Sequence, residues 1–149
     1  MKKRILIILL SLLVIAQFIQ PDRIANSTGE KTDILSIENT PIKVKNIIKN
    51  VCYDCHSNQI NYPWYSYISP LSWWLQDHIN EGREHLNFSI WNEYNAEKKS
   101  HKMEEAREEV EAEKMPLPSY TLIHGDAKIN AEEKQLLLEW FIGLEKKYN

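Results

Sequence analysis

The segment Cys52-Tyr53-Asp54-Cys55-His56 constrains this chain more than any other feature, because it gathers both cysteines and a histidine into five residues. That spacing sets the two thiols on one helical turn, with the histidine projecting from the same turn. Cys-x-x-Cys-His is the attachment signature of c-type haem, in which two thiols bond the porphyrin's vinyl groups and the histidine ligates the iron. The candidate site residues are therefore Cys52 and Cys55 as thioether donors to one haem c, and His56 as the proximal iron ligand. Rival chemistries are less well served. Zinc needs four ligands, and His78, His85, His101 and His124 contain no pair at zinc-finger spacing. A thioredoxin-type dithiol needs a βαβ setting, which the pattern lacks. A plain disulfide, or zinc, in a non-redox interaction domain stands as the alternative.

The N-terminus points out of the cytoplasm. Lys2, Lys3 and Arg4 precede an apolar run over residues 5–19, broken by Ser11 and Gln17. This is the pattern of an export signal or a membrane anchor. Fifteen helical residues rise about 23 Å against a hydrocarbon core of about 30 Å, which suits a signal peptide. The cleavage options are poor, however: Val14-Ile15-Ala16 cuts into the run, and Ala25-Asn26-Ser27 lies beyond it. An uncleaved anchor is the preferred reading. The chain then divides into a signal or anchor segment (1–20), a polar tether (21–39) and a haem-binding domain (40–149). The domain stands on the periplasmic side, held to the inner membrane by residues 5–20. The net charge of −3 over 149 residues, with no basic stripe, gives no reason to expect a nucleic-acid partner.

Only four glycines and almost no β-branched alternation argue for an all-α domain of about four helices. Thr40-Pro41 opens a helix, with Thr40 as cap, that presents Val44, Ile47, Ile48 and Val51 on one face. Ser69-Pro70 opens a second helix, running to about Asn80, with a break expected near Gly82. Ser89 is the expected cap of a third, reaching about Lys114, with Ala96, Met103, Ala106 and Val110 as its apolar stripe. Met115-Pro116-Leu117-Pro118 stops it, and an irregular loop runs to Asn130. Asn130, with Glu133 three residues on, caps the last helix, which carries Leu137, Phe141, Leu144 and Tyr148.

The second iron ligand is sought among the other histidines and methionines. Met103 falls in the apolar stripe and reads as core. Met115 sits in the proline-rich loop, where a thioether can be aimed at iron, and is the first choice for the distal ligand. His124 in the same loop is the less favoured alternative, and an open sixth position is the third reading. His78, His85 and His101 read as surface or hydrogen-bonded side chains. Seven of the fifteen aromatic residues fall between Tyr53 and Trp74. Trp64, Tyr65, Trp73 and Trp74 read mainly as core and loop packing, with some expected to wall the cofactor. Arg83 is a candidate partner for a haem propionate.

With these residues in place, the chain resembles a family of small exported bacterial haem-binding domains. The resemblance rests on Cys52 through Asn58, Tyr62-Pro63-Trp64-Tyr65, Pro70 to Trp74, His78, Gly82-Arg83, Leu86-Asn87-Phe88-Ser89 with Trp91, Met115-Pro116, Tyr120, His124 and the final helix through Trp140. Gln17-Phe18-Ile19-Gln20-Pro21 is similar to the family's membrane-proximal segment. The order of parts resembles cytochrome c, which implies that the first and last helices of the domain pack together beside the haem, with Met115 on the distal side. It further implies single-electron transfer to a redox partner protein rather than catalysis. A haem sensor or a peroxidase-like protein with an open sixth site is the alternative.

Overall fold

The structure, a computed structural model, describes residues 1–24 and 31–149, and the described residues contain helices and turns but no strand. The cleavage option at Ala25-Asn26-Ser27 and the middle of the expected tether lie outside the described residues. Helix α1 (Lys2–Ala16) buries none of its residues. The backbone winds on through Ile19, whose N–H donates to Ala16 O at 3.1 Å. Among the described residues, no helix is long and apolar enough to cross a membrane.

The far end of the expected tether belongs to the core instead. Asp33 caps the single turn α2 (Ile34–Ile37) by accepting the Leu35 N–H at 2.9 Å. Asp33, Ile34, Leu35 and Glu38 are all buried. The cause is local: Ile34 and Leu35 supply apolar surface worth about 1.5–3 kcal/mol each when buried, and the flanking carboxylates find partners inside. Glu38 accepts from Lys147 Nζ at 2.6 Å, from Trp91 Nε1 at 2.9 Å and from the Tyr148 hydroxyl. Burial opposes its charge, but these hydrogen bonds outweigh burial and hold its carboxyl below the usual glutamate value.

Helix α3 (Ile42–Val51) buries Val44, Ile47 and Ile48 as the spacing requires. Its cap is Pro41 rather than Thr40, because the Thr40 N–H and hydroxyl both turn back to the Glu38 carbonyl, at 2.8 and 3.3 Å. The motif forms its own turn, α4 (Tyr53–His56). After a 3₁₀ turn at Trp64–Tyr67, helix α5 (Leu71–His85) runs straight through Gly82, where a break was expected. Ser89 does not cap the next helix. It lies in a 3₁₀ segment (Phe88–Glu93), and its hydroxyl accepts the Asn58 N–H at 3.0 Å. Asn95 caps α6 (Ala96–Glu111) instead, accepting the Lys98 N–H at 2.8 Å. The loop expected up to Asn130 contains a further helix, α7 (Pro118–Ile123), which Pro118 starts at its first position. The capping box at Asn130 and Glu133 is present, and α8 (Ala131–Tyr148) buries Leu137, Phe141 and Leu144.

Helices α6 and α8 pack on each other, α3 packs on α8, and α4 lies against α5. One apolar core joins α2, α3, α6 and α8, with Met103 fully inside it. A smaller one, of Ile60, Tyr65, Leu75 and Ile79, lies under the aromatic segment.

Candidate functional site

The turn that carries the motif is fixed from both sides by its two variable residues. Tyr53 is buried, stacks on Phe88 with ring centroids 5.7 Å apart, and donates its hydroxyl to Asp33 Oδ1 at 2.6 Å. Burial and the adjacent carboxylate both push its ionisation upward, so it stays a neutral donor. On the other side, Asp54 accepts the Asn61 N–H at 2.9 Å and the Tyr120 hydroxyl at 2.8 Å, tying α4 to α7. Gly82 lets α5 approach closely. A Cβ there would meet Cys55 O at 2.8 Å and Cys55 Cβ at 3.3 Å. Glycine stands at this point of α5 because the α4 turn occupies the space a side chain would need.

Cys52, Cys55 and His56 thereby open on one cavity of about 570 Å³. Small-molecule sites commonly measure about 300–1,000 Å³. Its walls include Val51, Leu86, Phe88, Val110, Leu137 and Phe141. Glu81, Glu105, Glu108 and Glu109 also line it, together with Lys102. Loss of solvation pushes the thiol of Cys52 up to about 12, and the neighbouring thiol adds to the effect. The same cause pushes Cys55 up to about 11, with Asp54 contributing. Both are free thiols held protonated at neutral pH, unlike the low-pKa thiolate of a redox-active dithiol.

The histidine is oriented by backbone. His56 Nδ1 lies 3.0 Å from Leu86 O, and since a carbonyl only accepts, Nδ1 carries the proton and Nε2 keeps its lone pair. Burial lowers the pKa of His56, and carbonyls of Leu86 and Gly82 only partly offset it, so the ring stays neutral. A neutral imidazole with one nitrogen pinned to a carbonyl is the state a metal-ligating histidine needs. The donor set therefore fits a haem: two protonated thiols and a free imidazole nitrogen on one turn, facing a cavity with a largely apolar wall.

Met115 lines the same cavity. Two residues past the end of α6, Glu113 adopts the left-handed region (φ 59°), after which the N–H groups of Lys114 and Met115 both donate to Glu109 O, at 3.0 and 3.1 Å. This tight turn carries Met115 back toward the core. His124 lies elsewhere, its Nε2 2.8 Å from the Tyr65 hydroxyl and its ring stacked on Tyr120 at 4.4 Å. Arg83 is committed to Asn58 Oδ1, at 2.6 and 3.1 Å, and lies outside the cavity lining. Trp64, Tyr65, Trp73 and Trp74 are likewise absent from its wall. Tyr65 packs in the smaller core, and Trp74 lies behind His78, with ring centroids 4.3 Å apart.

Three residues that line the cavity had no cavity role in the sequence reading, which took two of them, His78 and His85, as surface or hydrogen-bonded side chains. His78 lines the wall with its Nδ1 on Trp74 O at 2.9 Å, leaving Nε2 free as in His56. Its i,i+4 spacing to Gly82 was the available signal, since both fall on one face of α5. His85 follows Gly82 on that face, and Tyr120 projects from the unanticipated α7. Among the described residues no group of three or more His, Cys, Asp or Glu is arranged to hold a metal ion, so the zinc reading gains nothing.

The family model described as haem-binding domain matches residues 11–142 of this chain. No curated protein matches. No solved structure matches. The matched range covers the motif, every wall of the cavity and the second half of the apolar N-terminal run. The chain belongs to the haem-binding domain family.

Proposed function

We propose that this member of the family holds its haem covalently through Cys52 and Cys55, ligates the iron with His56 and Met115, and passes single electrons. One observation carries the reading: both thiols and the unprotonated Nε2 of His56 share an apolar cavity with the Met115 thioether. Each thiol would add across a vinyl double bond, sulfur to one carbon and hydrogen to the other, without net oxidation. Once bound, haem supplies an iron that alternates between ferric and ferrous states. Val110, Leu137 and Phe141 exclude water, and the hydrogen bond from His56 Nδ1 to Leu86 O increases the imidazole's donor strength. The order of parts, with α3 before the motif and Met115 before α8, and the packing of α3 on α8, support a cytochrome c-like arrangement. The carboxylates along the cavity suit a redox partner with a basic face, and the reading makes the protein a carrier rather than an enzyme.

The same proposal takes residues 5–20 as an uncleaved anchor, with the domain on the periplasmic side of the inner membrane. Helix α1 is apolar on every side rather than amphipathic, which suits insertion over lying flat. It is short for a span, but its winding through Ile19 and long basic side chains at residues 2–4 help close the gap.

His78 carries a second reading for the distal ligand, because its free Nε2 also borders the cavity. The absorption spectrum of the oxidised protein separates the two. Methionine ligation gives a weak far-red sulfur-to-iron band that Met115→Ala abolishes and His78→Ala and His124→Ala leave intact. A spectrum without that band, turning high-spin in His78→Ala, transfers the position to His78. A high-spin wild-type spectrum that shifts with cyanide or carbon monoxide contradicts both ligands and indicates a sensor or peroxidase-like site.

A further inference from the structure

The second of the two polar residues that interrupt the apolar run, Gln17, has a partner within the domain. Gln17 Nε2 donates to Ser69 O at 2.9 Å, and its Oε1 accepts the Ser69 N–H at 3.0 Å, so one side chain clamps both polar groups of one peptide residue. Trp73 Nε1 donates to Ile19 O at 2.6 Å, and Ser69 Oγ reaches the same carbonyl at 3.2 Å. Arg23 donates to Ser66 O at 2.9 Å while its guanidinium lies 3.6 Å from the centre of the Tyr67 ring. The Ile24 N–H closes the row on the Tyr62 hydroxyl at 3.2 Å. Residues 17–24, which follow α1, are therefore stitched to the aromatic segment.

That segment turns much of its apolar surface outward. Trp64 is 75% exposed and Tyr67 60%, and Ile68, Leu71, Trp73 and Trp74 are exposed beside them. Its tryptophans and Tyr67 are amphipathic aromatics of the kind that favour the headgroup level of a bilayer, where a ring meets hydrocarbon and its N–H or O–H meets water. Arg23 at the edge adds a cation that suits lipid phosphate.

Resting on the anchor reading above, we infer that this aromatic face is a second membrane contact, seated in the phospholipid headgroup region beside the point where α1 enters. The occupant follows from continuity. Beyond Arg4, helix α1 is apolar all round and covered by nothing in the described chain, and Gln17, Ile19 and Arg23, which follow it, are bonded directly to Ser69, Trp73 and Ser66. Whatever bilayer takes α1 meets this face at the same level. A consequence concerns the site: α5 begins in the face at Leu71 and lines the cavity at Gly82, a rise of about 17 Å. The cavity is thus held close to the membrane surface in one orientation instead of swinging on a tether.

The test uses the full chain in phosphatidylcholine vesicles, with lipids brominated near the headgroup end of the acyl chain or near its terminus. Three of the five tryptophans lie in the face. Fluorescence of the vesicle-bound protein should fall by about half with shallow bromines and much less with deep ones. The Trp64→Phe/Trp73→Phe/Trp74→Phe variant, checked for wild-type circular dichroism, should lose that sensitivity. Flotation with vesicles but no quenching overturns the seat while leaving the anchor standing. No flotation overturns both. A detergent-solubilised dimer returned to monomer by the triple variant, with no quenching, makes the face a contact between copies and overturns the lipid assignment.

Discussion

In the main core Tyr53, Phe88, Trp91 and Phe141 are sealed from solvent, none more than 3% exposed, whereas Trp64 and Tyr67 in the segment just after the motif stand 75% and 60% exposed. Both groups are aromatic, so composition does not separate them. What separates them is partners. The buried set belongs to the core that it shares with residues of α3, α6 and α8, where apolar surface meets apolar surface. The exposed set uses its polar atoms and neighbouring backbone to hold residues 17–24, and its rings face outward. Aromatic residues beside a cofactor motif are thus not evidence that they wall the cofactor.

The largest effect should come from the buried set. Phe141→Ala removes a side chain that lines both core and cavity, and should cost about 3–5 kcal/mol in urea denaturation. A loss comparable to that of a surface change would erase the distinction. Gly82→Ala comes next. Helix propensity alone would favour alanine by about 1 kcal/mol, but the Cβ would meet the Cys55 carbonyl at 2.8 Å, and overpacking of this kind costs about 1–3 kcal/mol. Destabilisation in place of a gain, with poorer haem attachment, is the expected outcome; a more stable protein would show that α4 and α5 are not in close register.

Acid probes the buried set's polar edge. The pKa of Glu38 is lower folded than unfolded, so its stabilisation is complete above the ordinary glutamate value of 4.5 and is lost as pH falls through the folded value. Wild type should lose stability over that acid range more steeply than Glu38→Gln, measured by thermal melts at stepped pH. Equal slopes would remove Glu38 as the fastener of α8. The smallest effect belongs to the exposed set: Trp64→Ala in detergent should change stability by no more than about 0.5 kcal/mol. A larger loss would mean that the ring is covered within the monomer.

Much of this arrangement was legible from periodicity and spacing. The apolar faces of α3 and α8, the Asn130 capping box and Met103 in the core follow from local pattern, because each is decided within a few residues. The rest depended on contacts distant in sequence. Gly82 reads as a break until Cys55 is seen against it, and Thr40 and Ser89 read as caps until the Glu38 carbonyl and Asn58 N–H claim their polar groups. Residues 31–39 read as a tether because their carboxylates look solvated, yet Lys147, Tyr148 and Trp91 come from far along the chain to meet Glu38. At the site, the motif announced Cys52, Cys55 and His56. The roles of the partners that hold it were not legible: Leu86 and Tyr120 figured only among the residues of the family resemblance, and Asp33 not at all.

The central claim is that the two thiols carry the haem covalently, and the intact mass of the denatured chain tests it most directly. Protein produced together with a c-type haem attachment system should retain the mass of one haem after acid and organic extraction, and a Cys52→Ser/Cys55→Ser variant should retain none. A wild-type chain recovered at its bare polypeptide mass, with haem released into the organic phase, would contradict the account.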